Sequence, residues 1–340
     1  MEFKKRRWME GDFIENLDGV IFNVKGYLHP NNYVVAFVRY VPDPRGDRRR
    51  DSRKYLKLNS LEEKIRFLKQ RYPDYLVFDK IFDEMVCEVP HKEILKEYDP
   101  KRKAKEILSS KDEDPLKSKM RRFIEVISSH SNVSTNSFGV SGSLLLDLHT
   151  KDSDIDPLVY GSENCYRVYE TLKELSKNSE KIRTLNKMEI KALYRAKLLD
   201  TFIDLELFTK MMKERVMEGI FEDTLFSIRF LKDPGEIKEE YGEIRFKDLG
   251  EVEIEGKVVD ASEAIFTPCR YVLSGLRILH GSSSKEIREV SSFRSRFCDL
   301  AKEGDTIRAR GKLELVKTKD EEYLRVLVGG KRSHFMVKVS

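Results

Sequence analysis

The chain has 340 residues, of which 36% are charged and 40% hydrophobic, with 18 Gly and 10 Pro. This composition excludes collagen-like, low-complexity and wholly disordered chains, and the length favours two or three domains over one. The net charge of +5 is too small for a protein that binds nucleic acid through bulk charge, so such binding would need a local basic patch.

The sequence gives no sign of a membrane segment. No apolar stretch approaches the roughly 18 residues of a transmembrane helix, and no apolar region follows the basic N-terminus as it would in a signal peptide. We therefore expect a cytoplasmic protein without membrane contact. The four cysteines are too far apart for a CxxC metal or redox motif, so reduced core thiols are expected. The sequence does not predict the oligomeric state.

Two polar stretches, at 111–115 and 232–235, divide the chain. They predict an N-terminal α+β domain over residues 1–115, a middle domain of mixed α and β structure over 116–244, and a C-terminal β-rich domain over 245–340. The fold class is therefore α/β in the broad sense, or α+β, with an additional small β domain.

In the first domain, residues 33–41 are rich in β-branched and aromatic side chains and predict a buried strand. Apolar spacing predicts a helix over 61–71, and a second short helix is expected over 92–98. The loop at 45–54 is the densest basic run of the chain. It is a candidate RNA-binding arm, although an ordinary solvated turn is at least as good an interpretation; its arginines are Arg45, Arg48, Arg49 and Arg50.

The middle domain begins with an apolar stripe at steps of three and four that predicts an amphipathic helix from residue 116. A short strand at 137–140, a strand ending at Gly161 and a following helix are expected next. Residues 201–208 alternate apolar and acidic side chains, which predicts a strand with Asp204 and Glu206 on one face.

The last domain changes to clean alternation of period two at 251–259, 306–316, 323–328 and 334–339. Several short strands separated by glycine predict a small β-barrel or sandwich that resembles an OB-fold.

The most informative stretch runs from Gly142-Ser143, which form a turn into a short helix, to Asp154-Ile155-Asp156 at the start of a strand. Because side chains alternate along a strand, Asp154 and Asp156 project to one side and can share cations. Carboxylate oxygens suit Mg²⁺, and a third carboxylate from a neighbouring strand would let two ions be bridged. Asp204 is the candidate third carboxylate, with Glu206 as its rival.

The Gly142-Ser143 turn suits a polyphosphate. Glycine lets backbone N–H groups approach phosphate oxygens, and the serine hydroxyl adds a donor.

These residues resemble the DNA polymerase β-like nucleotidyltransferases, whose signature is a Gly-Ser turn, a spacer of about ten residues and Asp-x-Asp, with a third carboxylate on a later strand. The resemblance covers roughly residues 116–210 and includes Ser153, which precedes the first aspartate as in the family's usual ending. It implies that Gly142, Ser143 and Ser153 bind the nucleotide's phosphates and that Asp154, Asp156 and Asp204 hold two Mg²⁺ ions. The flanking segments look similar to an uncharacterised archaeal group of predicted nucleotidyltransferases.

The resemblance implies a magnesium-dependent enzyme that binds ATP or another NTP, moves a nucleoside monophosphate to a hydroxyl acceptor and releases pyrophosphate. RNA is one candidate acceptor. Two alternatives remain: a catalytically silent nucleotidyltransferase fold that binds RNA or DNA, and, less naturally for so long a chain, a toxin-type nucleotidyltransferase that modifies a protein.

Overall fold

The computed structural model describes residues 7–111, 113–197 and 204–339. The helices in these ranges are α1 (Leu61–Arg71), α2 (Pro100–Ser109), α3 (Pro115–Ser131), α4 (Gly142–Leu145), α5 (Ser162–Asn178), α6 (Lys187–Lys197) and α7 (Leu205–Glu214). The strands are β1 (Phe13–Asn16), β2 (Ile21–Val24), β3 (Tyr33–Pro42), β4 (Arg48–Arg50), β5 (Arg53–Lys57), β6 (Leu76–Asp79), β7 (Glu84–Pro90), β8 (Ile94–Tyr98), β9 (Phe138–Val140), β10 (Pro157–Tyr160), β11 (Ile182–Arg183), β12 (Glu218–Phe221), β13 (Thr224–Ser227), β14 (Arg229–Leu231), β15 (Arg245–Asp260), β16 (Cys269–His280), β17 (Ile287–Ser292), β18 (Thr306–Lys317), β19 (Glu322–Leu327) and β20 (Phe335–Lys338).

The mixed α and β architecture is confirmed, and α1, α3 and α5 fall where apolar spacing places them. Residues 92–98 are an exception, because the predicted helix there is wrong: a single 3₁₀ turn at His91–Glu93 leads into strand β8. The backbone hydrogen bonds of β8 go to β1, at the edge of a sheet, so tertiary pairing overrides the local helical pattern.

The described chain forms two compact units, each drawn from separate stretches of sequence. Among the described residues, the first unit comprises those in 7–77, 86–184 and 216–238, and the second those in 78–85, 185–215 and 239–339. The division into domains at 115 and 244 stays a prediction.

The first unit contains an N-terminal sheet with strand order β4-β5-β3-β2-β1-β8, onto which β7 pairs through β3. Between β2 and β3 the pairing shifts: Ile21 faces Tyr40 while Phe22 faces Val38, so Arg39 is an extra, bulged residue. Such a bulge turns the following side chain to the other face. Val38 accordingly lies in one buried cluster and Tyr40 in another, on the opposite side of the sheet.

The second cluster joins the N-terminal sheet to the middle of the chain. Tyr40 and Tyr55 of β3 and β5 pack with Leu145, Leu146 and Leu148, which lie at the end of α4 and just after it. One face of the N-terminal sheet therefore covers the segment that follows the Gly142-Ser143 turn.

The middle of the first unit is a three-stranded sheet with order β14-β10-β9, in which β10 runs parallel to β14 and antiparallel to β9. Pro157 is the first residue of β10, a position where proline is tolerated in a central strand. The buried face of α3 and the buried side chains of α5 belong to the same unit. This is the mixed sheet with helices that the sequence predicts.

The second unit contains a small barrel. Strand β15 pairs with both β16 and β18, and the order β15-β16-β17-β19-β18 closes on itself, with β17 and β19 parallel. A five-stranded barrel with this order is the OB-fold topology, which confirms the OB-like C-terminal prediction.

The predicted strand over 201–208 is wrong for its described part. Residues 201–203 lie outside the described residues, and the chain from Leu205 forms helix α7. The apolar positions recur at helical steps, and Phe208, Met211 and Met212 are buried in it. A short segment of alternating side chains fits both the two-residue period of a strand and the 3.6-residue period of a helix. The apolar repeat that continues to Met212 fits only the helix. None of the described helices is long and apolar enough to cross a bilayer.

Candidate active site

The Gly142-Ser143 turn and the Asp-x-Asp segment meet directly. Strand β9 ends at Val140, and the Ser141 amide donates to the Asp156 carbonyl oxygen at 2.9 Å. Gly142 follows with φ of +63°, and a β-carbon built there would lie 1.8 Å from Oδ2 of Asp156. Only glycine fits this position, because a side chain would occupy the space of the carboxylate and the backbone is left-handed.

Ser143 lies at the second position of the four-residue helix α4 and is largely buried. Its carbonyl oxygen accepts a hydrogen bond from the Leu148 amide at 2.9 Å, which closes the segment after α4 back onto the turn. Leu144 and Leu145 anchor this short helix in the core. The turn is thus held from both sides, by the Asp156 backbone before it and by Leu148 after it.

Ser153 is an anchor for the loop that precedes the carboxylates. Its hydroxyl oxygen accepts hydrogen bonds from the Thr150 amide and from Nη1 of Arg48, both at 2.9 Å. Arg48 also donates to the Leu148 carbonyl oxygen at 3.3 Å. The predicted phosphate-binding role of Ser153 stays a prediction, and in the structure its hydroxyl fixes the backbone next to Asp154.

Asp154 and Asp156, called the carboxylate pair below, lie close enough for the charge of Asp154 to act on Asp156. Burial, and next the negative charge of Asp154, raise the pKa of Asp156 to about 7. Such a shift arises when two carboxylates share a site that excludes water. A divalent cation would relieve this repulsion, and a donor set made only of carboxylate oxygens fits a hard ion such as Mg²⁺.

Positive charges from distant parts of the sequence act on Asp156. Arg229, Lys57 and Arg39 each lower the pKa of Asp156, against the effect of burial. Tyr40 lies in the same electrostatic environment, and burial above all raises its pKa to about 12. The sequence analysis did not identify these residues as part of the site. For Lys57 a signal was available, because Lys57 lies two positions after Tyr55 in a short strand and therefore on the same face.

Arg229 lies on the strand next to the carboxylate pair. Phe226 bridges to Ile155, and Arg229 pairs in register with Leu158, two residues beyond Asp156. The neighbouring strands β13 and β14 contain no acidic side chain, so they bring a positive charge, Arg229, and no carboxylate to this side of the sheet. Arg229 forms an ion pair with the buried Glu10 at 3.5 Å. Ser227 and Arg229 alternate with buried apolar residues, a signal visible in the sequence.

Asp204, the predicted third carboxylate, belongs to the second unit and is exposed. It is the N-cap of α7: its Oδ1 accepts hydrogen bonds from the amides of Glu206 and Leu207 at 2.8 and 3.1 Å. Glu206 lies in the first turn of that helix. Among the residues that the structure describes, no three His, Cys, Asp or Glu side chains are grouped so that they could hold a metal ion.

The basic run of the first domain splits into two kinds of arginine. Arg45 and Arg49 are exposed, and Arg45 forms an ion pair with Asp43. Arg48 and Arg50 instead donate to groups of the same chain, Arg50 to Glu15 and to two tyrosine hydroxyls. Arg48 and Arg50 therefore have partners within the chain, whereas Arg45 and Arg49 are exposed, and RNA binding through these four arginines stays a prediction.

Comparison with known proteins is consistent with this geometry. Residues 120–220 match the family model described as a nucleotidyltransferase domain. The chain is 32% identical over 344 aligned residues to "Uncharacterized protein MJ1086" of Methanocaldococcus jannaschii, covering 95% of this chain and 96% of that protein. No solved structure matches the chain. The chain therefore belongs to the family of this uncharacterised archaeal protein and contains a nucleotidyltransferase domain.

Proposed function

We propose that the protein is a magnesium-dependent nucleotidyltransferase that moves a nucleoside monophosphate from an NTP to a hydroxyl acceptor. The observation that supports this best is the direct approach of Gly142 to the Asp156 carboxylate, which joins the two halves of the family's signature in one place. In the reaction, the acceptor oxygen bonds to the α-phosphorus and the bond to the bridging oxygen of the β-phosphate breaks. Pyrophosphate leaves with that oxygen, and the acceptor proton passes to a base.

In this proposal Asp154 and Asp156 hold Mg²⁺, which would neutralise charge on the attacking and leaving oxygens. Gly142 leaves its backbone open to phosphate oxygens, and Ser143 adds a hydroxyl donor. Ser153, held by Arg48, keeps the backbone before Asp154 in one position. Fixed placement of reacting groups is a large part of catalysis for this class of reaction.

The test is transfer of label from each α-³²P-labelled NTP to total cellular RNA in the presence of Mg²⁺. We expect one discrete labelled RNA band with the wild-type protein, and none with Asp154→Asn or Asp156→Asn. Asp152→Asn is the matched control, because Asp152 is an exposed aspartate of the same loop. Label in no acceptor, or equal labelling by the Asp154 variant, would contradict the proposal, whereas label in a protein band would change the acceptor class.

Asp204 stays the proposed third carboxylate, with Glu206 as its rival. Asp204→Asn separates two roles, because asparagine caps a helix about as well as aspartate but is a poor metal ligand. Loss of transfer with an unchanged melting temperature would support a ligand role. Full transfer by this variant, combined with loss in Glu206→Gln, would assign the role to Glu206.

RNA is the proposed acceptor, reached through the exposed Arg45 and Arg49. Each phosphate contact contributes to the salt dependence of binding, so replacing both by Met should reduce the slope of log affinity against log salt by about 1 to 2. An unchanged slope would remove these side chains from the proposed interface.

One observation favours the second candidate, a catalytically silent fold that binds RNA or DNA. The strand beside the carboxylate pair carries Arg229 and no acidic side chain, whereas an acidic ligand from a neighbouring strand would complete a metal site. Calorimetric titration separates the two functions. NTP binding that requires Mg²⁺ supports the enzyme, whereas salt-sensitive RNA binding without NTP binding supports the silent fold.

A further inference from the structure

The N-terminal sheet borders the candidate site. Its β4–β5 hairpin is fixed to the loop before Asp154 by the hydrogen bond from Arg48 to Ser153. On the same side, Tyr40 and Tyr55 cover the leucines after the Gly142-Ser143 turn. Residues that leave this face of the sheet beyond Tyr55 therefore project toward the carboxylate pair.

Lys57 is such a residue. It stands two positions after Tyr55 on β5 and directly opposite Tyr40 on β3. Because side chains alternate along a strand, Lys57 shares the face of Tyr55. Its charge interacts with both members of the pair: burial lowers the pKa of Lys57 most, and the negative charges of Asp154 and Asp156 act in the opposite direction.

The neighbouring cations Arg39 and Arg229 have hydrogen-bond or ion-pair partners in the protein, whereas the Lys57 ammonium has none among the described residues. Arg39 donates through Nη1 to the Leu58 carbonyl oxygen at 2.9 Å, and Arg229 pairs with Glu10. Lys57 is half-buried, and in the described ranges of the chain its ammonium has neither a hydrogen bond nor an ion pair within 4 Å. Burying an ammonium without a close partner is costly, so a charge of this kind suits a ligand that is absent from the protein alone.

The positive charge of Lys57 indicates an anionic ligand. An ammonium beside two carboxylates weakens the attraction of the pair for Mg²⁺, but it strengthens the attraction of the site for a polyphosphate. We propose that Lys57 is a polyphosphate-binding residue that contacts the phosphates of the nucleotide, so that the N-terminal sheet forms part of the nucleotide site. This rests on the proposed nucleotidyltransferase function and extends it to a residue outside the matched domain.

The experiment compares Lys57→Met with Lys57→Arg and with Lys69→Met, a control at an exposed lysine in the last turn of α1. Each protein is titrated calorimetrically with Mg²⁺ alone and then with inorganic tripolyphosphate in saturating Mg²⁺. We expect Lys57→Met to bind tripolyphosphate about tenfold more weakly and Mg²⁺ alone severalfold more tightly, as expected for removal of one nearby positive charge. Lys57→Arg and Lys69→Met should resemble the wild type.

If Lys57 were purely structural, its replacement would leave the affinities for Mg²⁺ and tripolyphosphate unchanged or weaken both. It would not strengthen one and weaken the other. Equal affinities for the wild type and Lys57→Met, including no measurable binding by either, would overturn the proposal. Weaker binding of both ligands together with a lower melting temperature would also overturn it. If the opposite changes appear but no NTP supports label transfer, the assignment of Lys57 holds and the proposed reaction fails.

Discussion

Gly142 and Asp156 are in contact at a distance that leaves no room for a side chain. A β-carbon at Gly142 would lie 1.8 Å from Oδ2 and 2.8 Å from Cγ of Asp156. The backbone of Gly142 has φ of +63°, and the Ser141 amide bonds to the Asp156 carbonyl oxygen. The turn and the carboxylate therefore define each other's positions, and a change in one displaces the other.

Gly142→Ala should test this relationship. Alanine in the left-handed region costs about 1 to 2 kcal/mol, and the clash must also push Asp156 away. We expect a lower melting temperature and a loss of label transfer of about a hundredfold or more, since small displacements of reacting groups have effects of that size.

Gly235→Ala is the matched control, because a β-carbon there meets nothing within 4 Å and its φ is not left-handed. It should change neither melting temperature nor transfer. Wild-type transfer by Gly142→Ala would show that the carboxylate does not need the position observed here.

Arg50 links the N-terminal sheet to the segment after α4, because its Nη1 donates to the Leu146 carbonyl oxygen at 3.4 Å. Its Nη2 contacts Glu15 at 2.8 Å and the Tyr55 hydroxyl at 2.9 Å, and Glu15 is only 6% exposed. Arg50→Met leaves a buried carboxylate without its cation, so we expect a decrease in the free energy of unfolding of about 3 kcal/mol. Chemical denaturation measures it.

Arg49→Met provides the comparison on the same strand, because Arg49 is exposed, and it should change stability by less than about 0.5 kcal/mol. Combining Arg50→Met with Glu15→Gln should recover part of the loss, because the unpaired charge is then absent. Equal stability of the two single variants would contradict a structural role for Arg50.

The parts of the site that the sequence predicts are those that lie close together along the chain. Gly142, Ser143, Asp154 and Asp156 are within 15 residues of each other, so local turn and strand geometry is sufficient to bring them together. The barrel was similarly predictable, because β15, β18 and β19 alternate cleanly.

The rest depends on tertiary contacts. Lys57 and Arg39 approach the carboxylate pair from about 100 residues away in sequence, and the bulge that reorients Tyr40 leaves no sequence pattern. Residues 205–208 fit a strand as well as a helix until the buried methionines of the next turn are counted. Local periodicity over eight residues could therefore not identify Asp204 as a helix cap.

Ser153→Ala tests the anchor of the carboxylate loop. It removes the acceptor of two hydrogen bonds and should lower the free energy of unfolding by about 1 to 2 kcal/mol. If Ser153 acts by positioning Asp154, kcat for label transfer falls while the KM for NTP changes little. A rise in KM alone would favour direct phosphate binding, and Ser109→Ala, at an exposed serine of α2, is the control.

His29 makes stability depend on pH through the N-terminal sheet. Its Nδ1 accepts the Val35 amide hydrogen at 3.1 Å, which requires the neutral ring, and burial lowers the pKa of His29 to about 4. In the unfolded chain the ordinary pKa is about 6.5. The unfolded state therefore binds a proton that the folded state does not between these two values, so this contribution is complete above pH 6.5 and is lost as the pH falls to 4.

We expect the free energy of unfolding to decrease by about 2 kcal/mol between pH 7.5 and pH 5 through this residue, since each unit of pKa difference corresponds to about 1.4 kcal/mol. His29→Gln does not titrate in this range, and its amide oxygen can still accept the Val35 amide hydrogen. Urea denaturation of both proteins at the two pH values isolates the effect of His29, because every other titrating group is common to both. Equal losses for wild type and His29→Gln would mean that the ring is protonated in the folded protein, which would contradict the observed hydrogen bond to Nδ1.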